Sequence, residues 1–370
     1  MNQQHPLSYS QLVDMRRTEK GEAYRRTMRD LHAMTRSSDP KDRQLVASVN
    51  ADMVHLRDVT PATVHQNATM SNVSVQYAND EYIGDQLLPL VQVARKSDVY
   101  YIYPKRERMA YPPDELDAKG EAHELSETRE TSSYACVTYG YKNYLDAETL
   151  ENQDAPLNEM LDLTEACLEG LAFRRELRQA TVLTAAGNFP TGNKATLTGT
   201  DQWNDPTGGN PIANIQDAIG ALYNGRGPSK LVAYTSLDVW NVLSRHPQIL
   251  DLFKYGGTAP GLATPQMVAG FFGLDGLLVG KARQDTANIG GTASYSRIWG
   301  DYFGILRVAD RPSIRNASFG LTLRHGVMEA AQWFDPTKGK KGGWWAKNTC
   351  SDDEIVLASD TGYLISDTLA

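Results

Sequence analysis

The chain has 370 residues, 41% of them apolar and 22% charged, with a formal net charge of −8. That composition excludes a disordered chain, and the acidic excess excludes a protein that grips nucleic acid, because phosphate neutralisation needs clustered Lys and Arg. The length supports more than one folded unit.

Residues 1–58 are slightly basic within this acidic chain, with ten Lys and Arg against eight Asp and Glu. Their pattern predicts polar helices: Arg16, Arg17, Arg25, Arg26 and Arg29 are set among Leu and Met, and Ser37 to Pro40 breaks the run. A second short helix follows through Leu45, Val46, Val49, Met53 and Leu56. The apolar positions are too few for a private core. No hydrophobic signal core opens the sequence and no window approaches 18 apolar residues, so the expectation is a protein made and kept in a cytosol, with no membrane partner.

The stretch VSVQYANDEYIGDQLLPLVQV, residues 73–93, is apolar and extended, yet it precedes any element that could cover it. Val99 to Tyr103 is a strong strand signal, and a second strand runs from Ser133 to Leu145 with four tyrosines. Between them lie two adjacent prolines and dense charge. The two strands predict a long hairpin with a charged tip, and loops of that length inside compact domains are uncommon and usually functional or disordered.

Asp154 as a cap and Pro156 in the first turn predict a helix start, and Ala185 to Gly187 with Pro190 predict its end. Leu157, Met160, Leu161, Thr164, Leu168, Leu171 and Arg175, and then Leu177, Ala180 and Thr184, recur at threes and fours between them. This predicts one helix of about 30 residues, roughly 45 Å long. Residues 191–211 form a loop-rich joint. Beyond it the pattern is compact α/β: a helix through Ile212 to Leu222, a strand at Lys230–Tyr234, a helix from Ser236 to His246, a helix from Thr264-Pro265 to Gly273, and strands at 276–281 and 297–308. From Phe319 onward only strands are predicted, at 319–324, 327–334, 344–349, 355–358 and 363–365.

Chemistry-bearing motifs are weak. Gly187 to Lys194 has the look of a phosphate loop, but Ala195 stands where Ser or Thr belongs and the stretch follows a helix, so it reads as a turn. The seven histidines show no metal-ligand spacing and read as surface or capping residues. Cys136, Cys167 and Cys350 have neither zinc nor redox spacing and read as reduced structural thiols. Asp352-Asp353-Glu354 and Asp114-Glu115 with Asp117 lack the calcium-loop pattern and read as solvated turns. Gly339 to Trp345 is a basic-aromatic cluster, read as a loop leading into buried or interface tryptophans. No catalytic, cofactor-binding or metal site is predicted.

The stretches YANDEYIGDQLLPLVQV, DAPLNEMLDLTEACLEGLAFRRELRQA, NASFGLTLRHGVMEAAQWFD and DTGYLISD resemble the N-terminal arm, spine helix and closing strands of the major capsid proteins of tailed bacteriophages, the Hong-Kong-97-type shell fold. The likeness spans about residues 66–370. It implies an α+β fold: an N-terminal helical extension (1–65), an arm (66–98), an extended loop (99–145), a peripheral domain with the spine helix (146–210), an axial domain (211–309), peripheral strands (310–352), and a C-terminal return to the axial domain (353–370). It further implies a structural protein, not an enzyme, that assembles through hexamers and pentamers into an icosahedral shell around phage double-stranded DNA. Such a shell would form in the host bacterial cytoplasm and persist as the virion capsid. Portal, scaffold, protease and decoration proteins are the partners it suggests, with no cofactor and no sequence-specific DNA contact.

On this view the exposed arm finds its missing core on a neighbouring copy. Tyr77, Tyr82, Ile83, Leu87, Leu88 and Val91 are the arm contacts expected, with burial in the same subunit the competing reading for half of them. In the loop, Lys105, Arg106 and Arg108 precede a stretch that includes Glu115, Glu121 and Glu124, which suggests charge pairing between copies; Trp344 and Trp345 complete the candidates. Some relatives seal their shells with a Lys–Asn isopeptide bond, for which Lys105 or Lys119 with Asn348 are the residues to examine. The alternatives are an encapsulin-type nanocompartment shell, which shares the fold, and an α/β enzyme built on residues 211–309.

Overall fold

The computed structural model describes residues 82–102, 115, 130–152, 158–222, 229–253, 263–288, 291–310 and 318–370. The chain divides into two units, Met1–Gln66 and Asn67–Ala370, and every described residue belongs to the second. The expected helical extension and Tyr77, Lys105, Arg106, Arg108, Lys119, Glu121 and Glu124 lie outside the described residues.

A short turn of helix, α1 (Gly84–Leu87), leads into β1 (Leu90–Val93). Strands β2 (Ser97–Ile102) and β3 (Glu130–Ala135) form an antiparallel hairpin, followed by β4 (Val137–Asp146) and the short helix α2 (Ala147–Glu151). The spine helix α3 covers Glu159–Thr184, 26 residues. It starts later than Asp154 and Pro156 suggested: the Asn158 side chain accepts from the Leu161 N–H and caps it.

Two five-stranded sheets organise the rest. The first takes β1, β11 (Gly320–His325), β12 (Glu329–Asp335), β13 (Gly343–Val356) and β4. Its backbone is β13, 14 residues long, flanked by β4 along one side and by β12 and then β11 along the other. The second takes β5 (Lys194–Thr196), β14 (Gly362–Ser366), β10 (Phe303–Ala309), β6 (Ser229–Ser236) and β7 (Gly276–Gly280), in that order. Helices α4 (Pro211–Ala221), α5 (Leu237–Leu243), α6 (Pro247–Phe253) and α7 (Pro265–Phe272) flank it, and β8 (Arg283–Asp285) pairs with β9 (Tyr295–Arg297) as a small hairpin. Helix α7 follows its capping chemistry: Thr264 accepts from the Met267 N–H, Pro265 opens the first turn, and Gly273 closes it with φ +68°.

Three differences from the sequence reading have physical causes. The 297–308 stretch is broken by a turn at 298–301, where Gly300 takes φ +52°. The strands expected at 344–349 and 355–358 are one strand, because the acidic residues between them are paired rather than solvated. The expected domain boundary at 352/353 therefore falls inside β13, and β5, from the span assigned to the peripheral domain, pairs with β14 in the second sheet.

Three apolar clusters hold these parts. One lies within the second sheet and its helices, around Trp203, Ile215, Leu243 and Phe303. A second joins the arm, the end of α3 and the second sheet, through Leu87, Leu88, Leu183, Tyr234, Trp299 and Phe319. The Tyr234 hydroxyl donates to the Leu183 carbonyl at 2.7 Å, fastening β6 to the helix end. Gly304 lets that ring lie flat on β10, since a Cβ there would fall 2.1 Å from Tyr234 Cζ. Gly304→Ala is expected to destabilise the subunit by about 3 kcal/mol through overpacking, read as a lowered thermal unfolding midpoint.

Candidate inter-subunit surfaces

The arm root crosses the spine helix under a set of polar clamps. Glu176, buried in the middle of α3, accepts from the Ile83 N–H at 3.0 Å, the Gly84 N–H at 2.8 Å and the Trp299 indole N–H at 2.8 Å. Burial pushes its carboxyl above the ordinary range, against the pull of those three donors. Beside it, Arg175 makes two hydrogen bonds to Asp85, Gln179 donates to Asp85 and to Thr322, and the Tyr82 hydroxyl donates to Glu169 at 2.6 Å. Ile83, Leu87 and Leu88 are buried in the chain's own core. For these three the competing reading, burial in the same subunit, is the one the fold follows: Leu87 and Leu88 have no exposed area and Ile83 has 5%. Tyr82 and Val91 are half-buried.

Side-chain alternation gives β13 two different faces. Ala346, Asn348, Cys350 and Asp352 are buried toward the helix; Asn348 donates to the Thr164 carbonyl of α3. In the folded subunit the Asn348 amide, weighed above for an isopeptide bond, is thus buried and hydrogen-bonded within its own chain. Asp352 has 0% exposure and meets Arg324 in two hydrogen bonds of 2.6 and 2.7 Å. Burial alone would raise Asp352, but the Arg324 hydrogen bonds and charge outweigh it and hold the carboxyl below its usual range. Glu354 pairs with Arg178, which also lies 3.8 Å over the Tyr139 ring. The three cysteines are buried and unpaired, and burial raises each thiol, that of Cys350 to about 11.

The opposite face is divided. Over the β11 half lies the β2–β3 hairpin, with Tyr100, Tyr134 and Cys136 packed on Leu321, Leu323 and Ile355 and the Ala135 N–H donating to Asp353. Over the β12 half the sheet carries a half-exposed aromatic row: Trp333, Trp345 and Tyr144 stand opposite one another in register. Trp345 stacks on Trp333 at 6.1 Å and meets Tyr144 at 5.1 Å, and the Lys142 ammonium sits 4.4 Å from the Trp345 ring. Trp344, on the helix side, packs edge-on against Phe334. Lys341 pairs with Glu151 at the rim, and Glu115 is exposed.

The hairpin has an apolar outer side. Val99 is 59% and Tyr101 54% exposed, while Tyr100 between them is buried. Neither residue stood among the sequence candidates, although the alternation of Val99 to Tyr103 carried the signal that one side would face away from the sheet. Among the described residues no group of three His, Cys, Asp or Glu is placed to hold a metal, and no helix is long and apolar enough to cross a membrane.

A sheet crossed by a long spine helix, an arm laid along that helix, a hairpin packed on that sheet and a second sheet with flanking helices define the Hong-Kong-97-type capsid fold. The structure is similar to a phage-related protein from Bordetella bronchiseptica RB50, with TM-score 0.67 at 20% identity over 82% of this chain and 98% of that one. It is also similar to the capsid of the cyanophage P-SCSP1u, with TM-score 0.52 at 10% identity over 77% and 88% of the two chains. In sequence, the chain is 28% identical over 308 residues to the major capsid protein of Pseudomonas phage JBD67, covering 81% of this chain and 96% of that relative. No protein-family model matches. The resemblance to tailed-phage major capsid proteins thus rests on sequence as well as fold.

Proposed function

We propose that this chain is the major capsid protein of a tailed phage, building through hexamers and pentamers an icosahedral shell around double-stranded DNA. The observation that carries this reading is the 28% identity to a phage major capsid protein across nearly all of that relative's length, on a chain with the capsid fold. The role is structural, and the place is the virion capsid, assembled in the host cytoplasm with a portal and with scaffold, protease or decoration proteins as further partners. An acidic shell wall repels packed DNA instead of gripping it, which suits a container.

The physical logic supports the assignment. Fully burying a side chain such as Val99 or Tyr101 contributes about 1.5–3 kcal/mol, and a lone subunit leaves both wet. Heterologous contacts close into rings, and many weak contacts per subunit sum to a stable shell. The hairpin's outer side, Tyr82, Val91, and the Trp344–Trp345 edge are the surfaces we assign to neighbours. Lys105, Arg106 and Arg108 of one copy pair with Glu115, Glu121 and Glu124 of another. Electron microscopy of the purified recombinant protein is expected to show closed shells or capsomers; only monodisperse monomers under all conditions would overturn the proposal. Arg106→Glu is expected to slow assembly at low salt and to lose that effect at high salt, measured by light scattering.

A further inference from the structure

The first sheet ends on an open edge. Strand β4 pairs with β13 along one side, and among the described residues no strand takes the other. One bond shows which backbone groups face outward: the Tyr144 N–H donates to the Asn143 side-chain oxygen instead of to β13. By the two-residue period of a strand, the Gly140 and Lys142 backbone groups point the same way. Among the described residues no backbone hydrogen bond reaches them from outside the sheet. The only charge in the strand before Asp146, Lys142, sits over the Trp345 ring on the face away from the spine helix and does not guard the edge. An unpaired strand of ten residues, with Val137 and Tyr141 exposed on it, is a template for another strand.

Beside that edge, between β4 and the spine helix, runs a groove of about 260 Å³, lined by Tyr141, Lys142 and Asn143 from the strand and by Ala166, Cys167 and Gly170 from the helix. Its helical floor is made of small side chains. Gly170 lets the Tyr141 ring lie close, since a Cβ there would fall 3.2 Å from it, and Ala166 is exposed. A strand added to β4 would present every second side chain to this floor.

The chain itself supplies a candidate for that strand. The second unit begins at Asn67 and its description at Tyr82, and the Tyr82 hydroxyl meets Glu169, the helix residue next to Gly170 and three beyond Ala166. The arm therefore enters at the level of the groove. From Tyr82 at Glu169 to Ile83 and Gly84 at Glu176, its contacts climb the helix in chain order, so it runs parallel to α3. Strand β4 runs the other way, with Tyr139 under Arg178 and Tyr141 against Gly170. A continuation back from Tyr82 along the helix meets β4 antiparallel. The five steps from Tyr77 to Tyr82 reach up to about 17 Å, more than the roughly 10–12 Å across a helix with its side chains. Val73, Ser74, Val75, Gln76 and Tyr77 alternate apolar and polar, the pattern of a strand with one covered face.

We infer that residues 73–77 add to the open edge of β4 in their own subunit as an antiparallel strand, with Val73, Val75 and Tyr77 turned into the groove over Ala166, Cys167 and Gly170 and with Ser74 and Gln76 turned away. Hydrogen exchange of the full chain reads the edge directly. The Gly140 and Lys142 amides are expected to be protected. Val75→Asp, which puts a charge into the groove, is expected to speed their exchange about tenfold or more, and Ser74→Asp, on the other face, to change it by less than about twofold. Unprotected wild-type amides, or equal effects of the two substitutions, would overturn the inference. Cross-linking identifies whose strand it is. Of the variants Val73→Cys, Val75→Cys and Tyr77→Cys, oxidised with copper phenanthroline, at least one is expected to form a disulfide with Cys167 of the groove. With ¹⁴N and ¹⁵N chains mixed before assembly, linked peptides that carry a single label place the strand in its own subunit. Mixed-label pairs would overturn the inference by giving the groove to a second copy, and no Cys167 link in any of the three would overturn it outright. Free subunits serve for the exchange measurement, so its outcome stands apart from the shell reading.

Discussion

Arg324→Met, with Asp352 left in place, is expected to destabilise the subunit by about 3–5 kcal/mol, the cost of stranding one member of a buried ion pair. Asp352 has no exposed area and Arg324 little, so water cannot replace the lost partner. The penalty falls on the abandoned carboxylate. In the wild-type chain the Asp352 carboxyl is held below its ordinary range, so the pair's contribution is fully present above the unfolded value of about 3.9 and is lost as pH falls through the folded value. In the variant the sign reverses: burial without Arg324 raises the carboxyl, and the penalty shrinks as the medium becomes acid enough to protonate it. Urea midpoints of the two proteins should therefore converge as pH falls toward about 4. Arg324→Met combined with Asp352→Leu should recover most of the loss, because an apolar pair of similar volume avoids both desolvation costs. A single variant as stable as wild type at neutral pH would show that the pair is not closed in solution.

This pair also shows where sequence reading fails. Asp352-Asp353-Glu354 reads as a solvated turn because three consecutive carboxylates are costly to bury unless partners are supplied. The partners come from elsewhere: Arg324 from the neighbouring strand, Arg178 from the spine helix, 176 residues before Glu354, and the Ala135 N–H from the hairpin. No local window contains them. Elements set by local chemistry were readable by the same standard. Thr264-Pro265 and Gly273 bracket α7 as their capping preferences dictate, and the threes and fours from Leu161 to Thr184 give most of α3. The arm lies between these cases. Its apolar residues were visible, but whether Leu87 and Leu88 turn inward depends on α3 and Phe319, which follow far along the chain. Val99 and Tyr101 were missed as surface candidates because alternation identifies two sides of a strand without saying which one the sheet covers. His246 was read as a surface or capping residue; it does accept from the first turn of α6, but from inside the fold.

Glu176→Ala is expected to release the arm root from the spine helix at a cost of about 3–5 kcal/mol, since it leaves three buried donors unmet at about 1–3 kcal/mol each with incomplete additivity. The donors belong to two distant segments, Ile83 and Gly84 of the arm and Trp299 beside the second sheet, so one carboxylate fixes three parts of the fold together. Gly84 passes so close to the helix that a Cβ would fall 2.1 Å from Gln179 Oε1, and the arm cannot shift sideways to find other acceptors. Ionisation opposes this gain. A carboxyl raised by burial favours the folded state most below its unfolded value of about 4.3 and progressively less as pH rises through its folded value. Glu176→Gln therefore removes the ionisation penalty while keeping one carbonyl acceptor, and it should lose less stability than Glu176→Ala, with a flatter dependence on pH between mildly acid and neutral conditions. Hydrogen exchange distinguishes a local latch from a general loss of structure. In Glu176→Ala the amides of residues 83–88 should exchange far faster while those of β6 and β10 keep most of their protection. Uniform acceleration across both sheets, or unchanged protection of the arm, would show that the carboxylate does not act as the latch.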